Sequence, residues 1–145
     1  GNGTQDIFYE RGDVMTVSLH ADPVRFYPFF WGAENERGRG AGEGFNCNFP
    51  LPRGSNDEAF LAALREALAL IGAFNPGALV VALGLDAFEG DPFGGLHVST
   101  AGFRQIGSAI ARAGARPTVI VQEGGYICDA LGRNLASFLS GFQDG

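Results

Sequence analysis

The sequence predicts an α/β fold, a parallel sheet flanked by helices, and three observations carry that expectation. Two apolar runs rich in β-branched residues, Ala78–Leu85 (ALVVALGL) and Thr118–Gln122 (TVIVQ), show no polar alternation and read as strands buried on both faces. Segments before, between and after them carry apolar residues at helical spacing, so strand and helix alternate. Each run also ends at an acid and a glycine-bearing turn: Asp86 followed by Gly90-Asp91-Pro92, and Glu123 followed by Gly124-Gly125-Tyr126. Open α/β sheets bind ligands beyond the carboxyl ends of their strands, so chemistry is expected at these two places.

Taken in order, Val14–His20 (VMTVSLH) reads as a first strand that runs into the turn Ala21-Asp22-Pro23. Val24–Gly44 is a long loop, dense first in aromatics (Phe26, Tyr27, Phe29, Phe30, Trp31) and then in glycine (Gly38, Gly40, Gly42, Gly44). These aromatics are expected to fill a gap in the core, with the glycines permitting tight bends. Phe45–Pro50 is a short strand, which Pro50 and Pro52 place near a sheet edge. Ser55-Asn56-Asp57-Glu58 matches a capping box, Leu61, Leu64, Leu68 and Ile71 form an apolar helical stripe, and Asn75-Pro76-Gly77 ends the helix. After the Asp86 loop, Ser99 or Thr100 caps a second helix in which Phe103, Ile106 and Ile110 share a face, with Gly114 at its end. A last helix covers about Asp129 to Phe142. A sheet this small leaves an edge unprotected, for more chain or a partner copy to cover.

At 145 residues the chain has the length of one domain, and 46% hydrophobic content supplies a core. A net charge of −6 argues against a nucleic-acid binder, which usually carries a basic face, and mildly favours a cationic small molecule. Cys47 and Cys128 fit no metal or redox spacing and read as buried free thiols. No membrane span or signal peptide is visible, so a soluble, cytoplasmic protein is expected. The chain opens with GNGTQ, without an initiator Met, and reads as though cut from a longer protein.

Asp86 alone has two readings, a turn-making or capping acid and a chemical group. If the two central strands are neighbours, Asp86 and Tyr126 reach one crevice, where a carboxylate can ligate a metal and a phenol can donate to a developing oxyanion. Gly124 and Gly125 would let the backbone approach a ligand closely. The bland alternative for EGGY is a glycine turn followed by a core tyrosine.

Five ordered segments, GNGTQDIFY, VSLHADP, GAGEGFNCNFPLP, LGLDAFEGDP and QEGGY, span nearly the whole chain. In that order the chain resembles the zinc-dependent histone deacetylase superfamily, in particular its bacterial acetylpolyamine amidohydrolase branch and the related class II deacetylases. The resemblance implies an arginase/deacetylase-like fold and identifies residues 1–145 with the C-terminal portion of a deacetylase-like catalytic domain. It implies that Asp86, in the G-x-D motif, is one of three protein ligands of a catalytic Zn2+. Tyr126 becomes the donor that stabilises the oxyanion of the scissile amide. Tyr27 and Phe93 would line the substrate channel together with Gly124 and Gly125. Ser18 and Leu19, the latter through its carbonyl, would help hold a structural K+.

The family's other two zinc ligands belong to an Asp-x-His-His motif immediately before GNGTQ, and its general-base His pair lies further upstream. His20 and His97 are not expected to substitute. The implied function is zinc-dependent removal of acetyl groups from acetylated amines, either a small acetylpolyamine or an acetyl-lysine peptide. The 145 residues alone are expected to be inactive. The ADP, FEGDP and QEGGY wording favours the polyamine branch, but Phe93 cannot itself select a cationic tail, so the substrate class stays open. The competing expectation is a non-catalytic fragment or an interaction module that uses Phe26 to Trp31 as an adhesive surface. A relative acting on another acyl group is a third. No nucleic acid or membrane partner is expected, and a homodimer would suit the polyamine branch.

Overall fold

The computed structural model describes residues 1–145, which divide into two compact units, Gly1–Arg53 and Gly54–Gly145. The first unit begins with a short helix α1 (Asn2–Phe8) that the sequence does not announce, because it buries Gln5 in place of an apolar stripe. Strand β1 (Thr16–Ala21) pairs in parallel with β2 (Asn46–Leu51), in a register that sets Thr16 opposite Asn46 and Ala21 opposite Leu51.

Buried polar side chains organise this unit. Asn46 and Asn48 each donate to Gln5 Oε1, at 3.1 and 2.8 Å, and Gln5 in turn donates to Glu36 Oε2 at 2.9 Å. The same Glu36 oxygen accepts the amides of Gly32 at 2.7 Å and Ala33 at 3.1 Å, so this network fixes the start of the glycine-bearing segment. The aromatics ahead of it do not fill a core gap, as the sequence led us to expect. Tyr27, Phe29, Phe30 and Trp31 are 72%, 56%, 81% and 43% exposed, and only Phe26 is partly covered, by the Arg53 guanidinium 5.0 Å above its ring. The physical reason is local: Arg25 and Phe29 take left-handed backbone, with φ of 64° and 66°, and the resulting tight turns present the rings outward.

The second unit runs α2 (Asp57–Phe74), β3 (Leu79–Leu83), α3 (Thr100–Arg112), β4 (Thr118–Gln122) and α4 (Leu131–Asp144). The cap of α2 is Asn56, whose Oδ1 accepts the Ala59 amide at 3.2 Å, and not Ser55. The Ser55 carbonyl instead accepts the His97 amide at 2.8 Å, beside a parallel bridge between Asn56 and His97, and this shifts the helix start by one residue. Asn75, at φ 54°, ends the helix in left-handed geometry, as the Asn-Pro-Gly signal predicts. Ser99 caps α3 by accepting the Gly102 amide at 3.0 Å.

β3 and β4 pair in parallel across the α3 crossover, with Val81 opposite Ile120. The strands thus form two two-stranded parallel sheets, each pair closed by its own connection, where the sequence suggested one continuous sheet. Burial also departs from expectation. β3 alternates, with Leu83 buried and Val80 69% exposed, and Val119 and Val121 of β4 are likewise exposed. The apolar core of this unit takes only Leu83 from these two strands and is built chiefly by residues such as Leu64, Leu85, Val98, Phe103, Ile106 and Phe138. Gly107 and Gly141 allow α3 and α4 to approach backbone to backbone. A Cβ on Gly107 would strike the Phe138 carbonyl, and one on Gly141 the Arg104 carbonyl.

Candidate functional site at the carboxyl ends of β3 and β4

Beyond Leu83 the chain enters a 3-10 turn, Leu85–Ala87, that contains Asp86, so the acid stands one turn past the strand. Two backbone bonds tie this turn to the β4 end: Glu123 N donates to the Leu83 carbonyl at 2.9 Å and Leu85 N to the Gly124 carbonyl at 2.8 Å. The Asp86 carboxylate lies directly against Gly124. A Cβ there would stand 2.6 Å from Asp86 Oδ1 and closer still to Oδ2. Glycine at 124 is therefore the space in which the carboxylate sits. Gly125 has φ 129°, and a Cβ on it would meet Leu85 and Leu131 at 2.8 Å. Burial holds the Asp86 carboxyl above the usual carboxylate range, and the nearby charge of Asp91 pushes it the same way.

The loop after Asp86 is compact. Asp91 N donates to the Phe88 carbonyl and Gly94 N to the Asp91 carbonyl, both at 3.1 Å, while Val98 N reaches the Ala87 carbonyl at 3.0 Å. Phe93 and Tyr126 meet edge to face, with ring centroids 4.8 Å apart and planes at 70°. Both rings keep solvent access, Phe93 at 68% and Tyr126 at 46%. The second unit thus brings Asp86, Phe93, Gly124, Gly125 and Tyr126 together on adjoining loops.

The other predicted site residues, Ser18, Leu19 and Tyr27, lie in the first unit. Tyr27 is exposed in the aromatic loop, and Leu19 stands opposite Phe49 in the β1–β2 ladder. His20 Nε2 faces the Gly32 carbonyl at 2.9 Å and must carry the proton there, so Nδ1 accepts the Ser18 hydroxyl at 2.8 Å. Burial lowers the His20 pKa, consistent with this neutral ring. His97 is exposed, and its backbone forms the bridge to Asn56. No three His, Cys, Asp or Glu side chains group so as to hold a metal ion. Cys47 is buried and Cys128 half-buried, both free, so the buried-thiol expectation is corrected at Cys128.

Sequence reasoning missed Asp91 as anything more than a turn residue. Its Oδ1 accepts the Phe93 amide at 2.8 Å and its Oδ2 the Tyr126 amide at 2.9 Å, and the side chain is buried. The first bond is an Asx turn that Asp two residues ahead of an amide signals locally, whereas the second spans loops distant in sequence.

These features define an α/β protein with a carboxylate and a phenol on adjoining loops at the carboxyl ends of paired parallel strands. The chain belongs to the histone deacetylase domain family, whose pattern matches residues 1–142. It is 45% identical over 143 residues to acetylpolyamine amidohydrolase 1 of Pseudomonas aeruginosa, covering 99% of this chain and 41% of that protein. It is also 45% identical to the acetylpolyamine amidohydrolase of Mycoplana ramosa, with 97% of this chain and 41% of that one covered. The crystal structure of acetylpolyamine aminohydrolase from Burkholderia pseudomallei superposes with a TM-score of 0.92 at 47% identity, across 97% of this chain and 41% of that one. The chain therefore spans about 41% of the length of these relatives. No helix is long and apolar enough to cross a membrane.

Proposed function

We infer that residues 1–145 are the C-terminal portion of a zinc-dependent amidohydrolase that removes acetyl groups from acetylated amines, an acetylpolyamine or an acetyl-lysine side chain. The observation that carries this reading is the Asp86 carboxylate pressed against Gly124 on the loop beside Tyr126. Similarity to proteins named acetylpolyamine amidohydrolase supports the polyamine arm.

The Asp86 side of the site fits a cation. A half-buried carboxylate whose ionised form is disfavoured gains most from a positive ion beside it. Asp86 supplies one donor, and the family resemblance assigns the other ligands to the Asp-x-His-His motif. Zinc held there would polarise the amide carbonyl and acidify a water. Tyr126 donates its phenol to the oxygen on which negative charge develops, and Phe93 walls the approach. In the first unit, the Ser18 hydroxyl spends its proton on His20, which leaves its oxygen lone pairs, with the Leu19 carbonyl, to face K+. The family resemblance assigns a channel-lining role to Tyr27 as well, which is exposed in the first unit. A cytoplasmic location and a homodimer complete the reading.

The test uses a chain extended to the length of its relatives. Asp86→Ala should lose zinc by elemental analysis. Tyr126→Phe should keep zinc and lower kcat by about 100- to 1,000-fold. A fully active Tyr126→Phe enzyme would remove the oxyanion role. The 145-residue chain should bind substoichiometric zinc and leave acetylputrescine intact, and chelator-sensitive turnover by it would overturn the incompleteness assigned here. Exposure of Phe29, Phe30 and Trp31 favours a second reading, a non-catalytic interaction module, which Asp86→Ala would leave unaffected.

A further inference from the structure

We propose that Asp91 is a positioning residue for the Tyr126 phenol, acting as a two-pronged clamp between the β3 and β4 loops. The inference rests on the oxyanion role of Tyr126 given above. The β4 loop bears the marks of a segment that local structure does not fix: Gly124 and Gly125 precede the tyrosine, Gly125 is at φ 129°, and Ile127 after it is 96% exposed. Two glycines give this backbone more freedom than any other residue pair would. A donor aimed at a developing charge contributes only if its geometry is set beforehand.

Asp91 supplies that restraint. It lies nearly buried on a loop that is itself pinned by Phe88, Gly94 and Val98, so its carboxylate is a fixed point. Oδ2 takes the Tyr126 amide, which sets the backbone from which the phenol extends. Oδ1 takes the Phe93 amide, which sets the ring that packs edge-on against Tyr126. One carboxylate thereby fixes both the root of the phenol and the wall that orients it. Bonds from neutral amides to a carboxylate are charge-assisted and stronger than amide-to-carbonyl bonds. The two amides meet different oxygens of the carboxylate, and asparagine puts an NH2 donor where one of them stands, so in this geometry it can keep the bond to Phe93 or the bond to Tyr126 but not both.

The first test reads the wild-type 145-residue chain by NMR hydrogen exchange. The Phe93 and Tyr126 amides should be protected by about tenfold or more over the neighbouring amide of Ile127, and exchange at the Ile127 rate would overturn the clamp. In Asp91→Asn one of the two should lose protection while the helices keep theirs. The second test uses the extended, active chain. Asp91→Asn should lower kcat by about tenfold with KM little changed, and Asp91→Asn combined with Tyr126→Phe should be no slower than Tyr126→Phe alone, because the clamp acts through the phenol. A multiplicative double variant, or an Asp91→Asn enzyme as fast as wild type while Tyr126→Phe is slow, would overturn the positioning role. A fully active Tyr126→Phe enzyme would instead sink the oxyanion reading, with the exchange result still deciding the clamp.

Discussion

In Gly1–Arg53 the polar side chains of Gln5, Asn46 and Asn48 are buried and converge on Glu36, whereas in Gly54–Gly145 the large fully buried side chains are chiefly apolar: Phe103, Phe138, Leu85 and Val98. The two units order their loops by different physics. Apolar burial is non-directional and holds α3 against α4. The polar network is directional, and it holds a glycine-bearing segment that has almost no apolar side chains to pack. Each arrangement fits its task. The second unit needs a rigid platform for the Asp86 and Tyr126 loops, and the first needs a defined path for Gly32 to Gly44.

Substitutions that strike each device separate the two units. Phe138, fully buried and stacked at 6.4 Å on Phe142, should carry the largest effect. Phe138→Ala should cost about 3–5 kcal/mol, read as the loss of helical circular dichroism in urea. Glu36→Ala removes the acceptor of Gln5, Gly32 and Ala33 and should cost about 2–3 kcal/mol. Its signature should be local, because Trp31 is the single tryptophan and adjoins Gly32, so its fluorescence should report the freed loop. Glu36→Gln keeps one acceptor oxygen and should cost less. If Glu36→Ala left Trp31 emission unchanged, the polar network would not be what orders that segment.

The same contrast decides what could be read from sequence. Features set by local rules were legible: β4 spans the predicted Thr118–Gln122, Asn75 ends α2, and the cap of α3 is Ser99, one of the two residues expected. Helix α1 was not, since Gln5 is buried by hydrogen bonds to residues far along the chain and leaves no periodic mark. The choice of Asn56 over Ser55 as cap was equally hidden, because both residue types cap well and the distant His97 bridge decides between them. Uninterrupted apolar runs suggested burial on both faces of β3 and β4, yet Val80 and Val119 are exposed, since such a run shows what a strand can bury and not what covers it. At the candidate site, Asp86 and Tyr126 were visible as strand-end residues. Asp91 was not, because one of its two bonds joins loops whose proximity only the β3–β4 pairing creates.

The smallest predicted effect returns to Asp86, an acid that the second unit half-buries without a counter-charge. Folding raises the Asp86 pKa above 3.8, first through burial and then through the charge of Asp91. The folded state therefore holds this proton more tightly than the unfolded chain does, and stability must fall as pH rises from the ordinary carboxylate range through the raised folded pKa. Above that window the full penalty applies, and below it none does. In chelator-treated chain, Asp86→Asn should then raise the melting temperature at neutral pH, and the gain should vanish as the pH falls below about 3.8. Such a gain would mark Asp86 as an acid kept for a ligand and not for the fold, whereas the core and network residues above can only destabilise when replaced. A loss of melting temperature in Asp86→Asn at neutral pH would instead make Asp86 part of the structural framework.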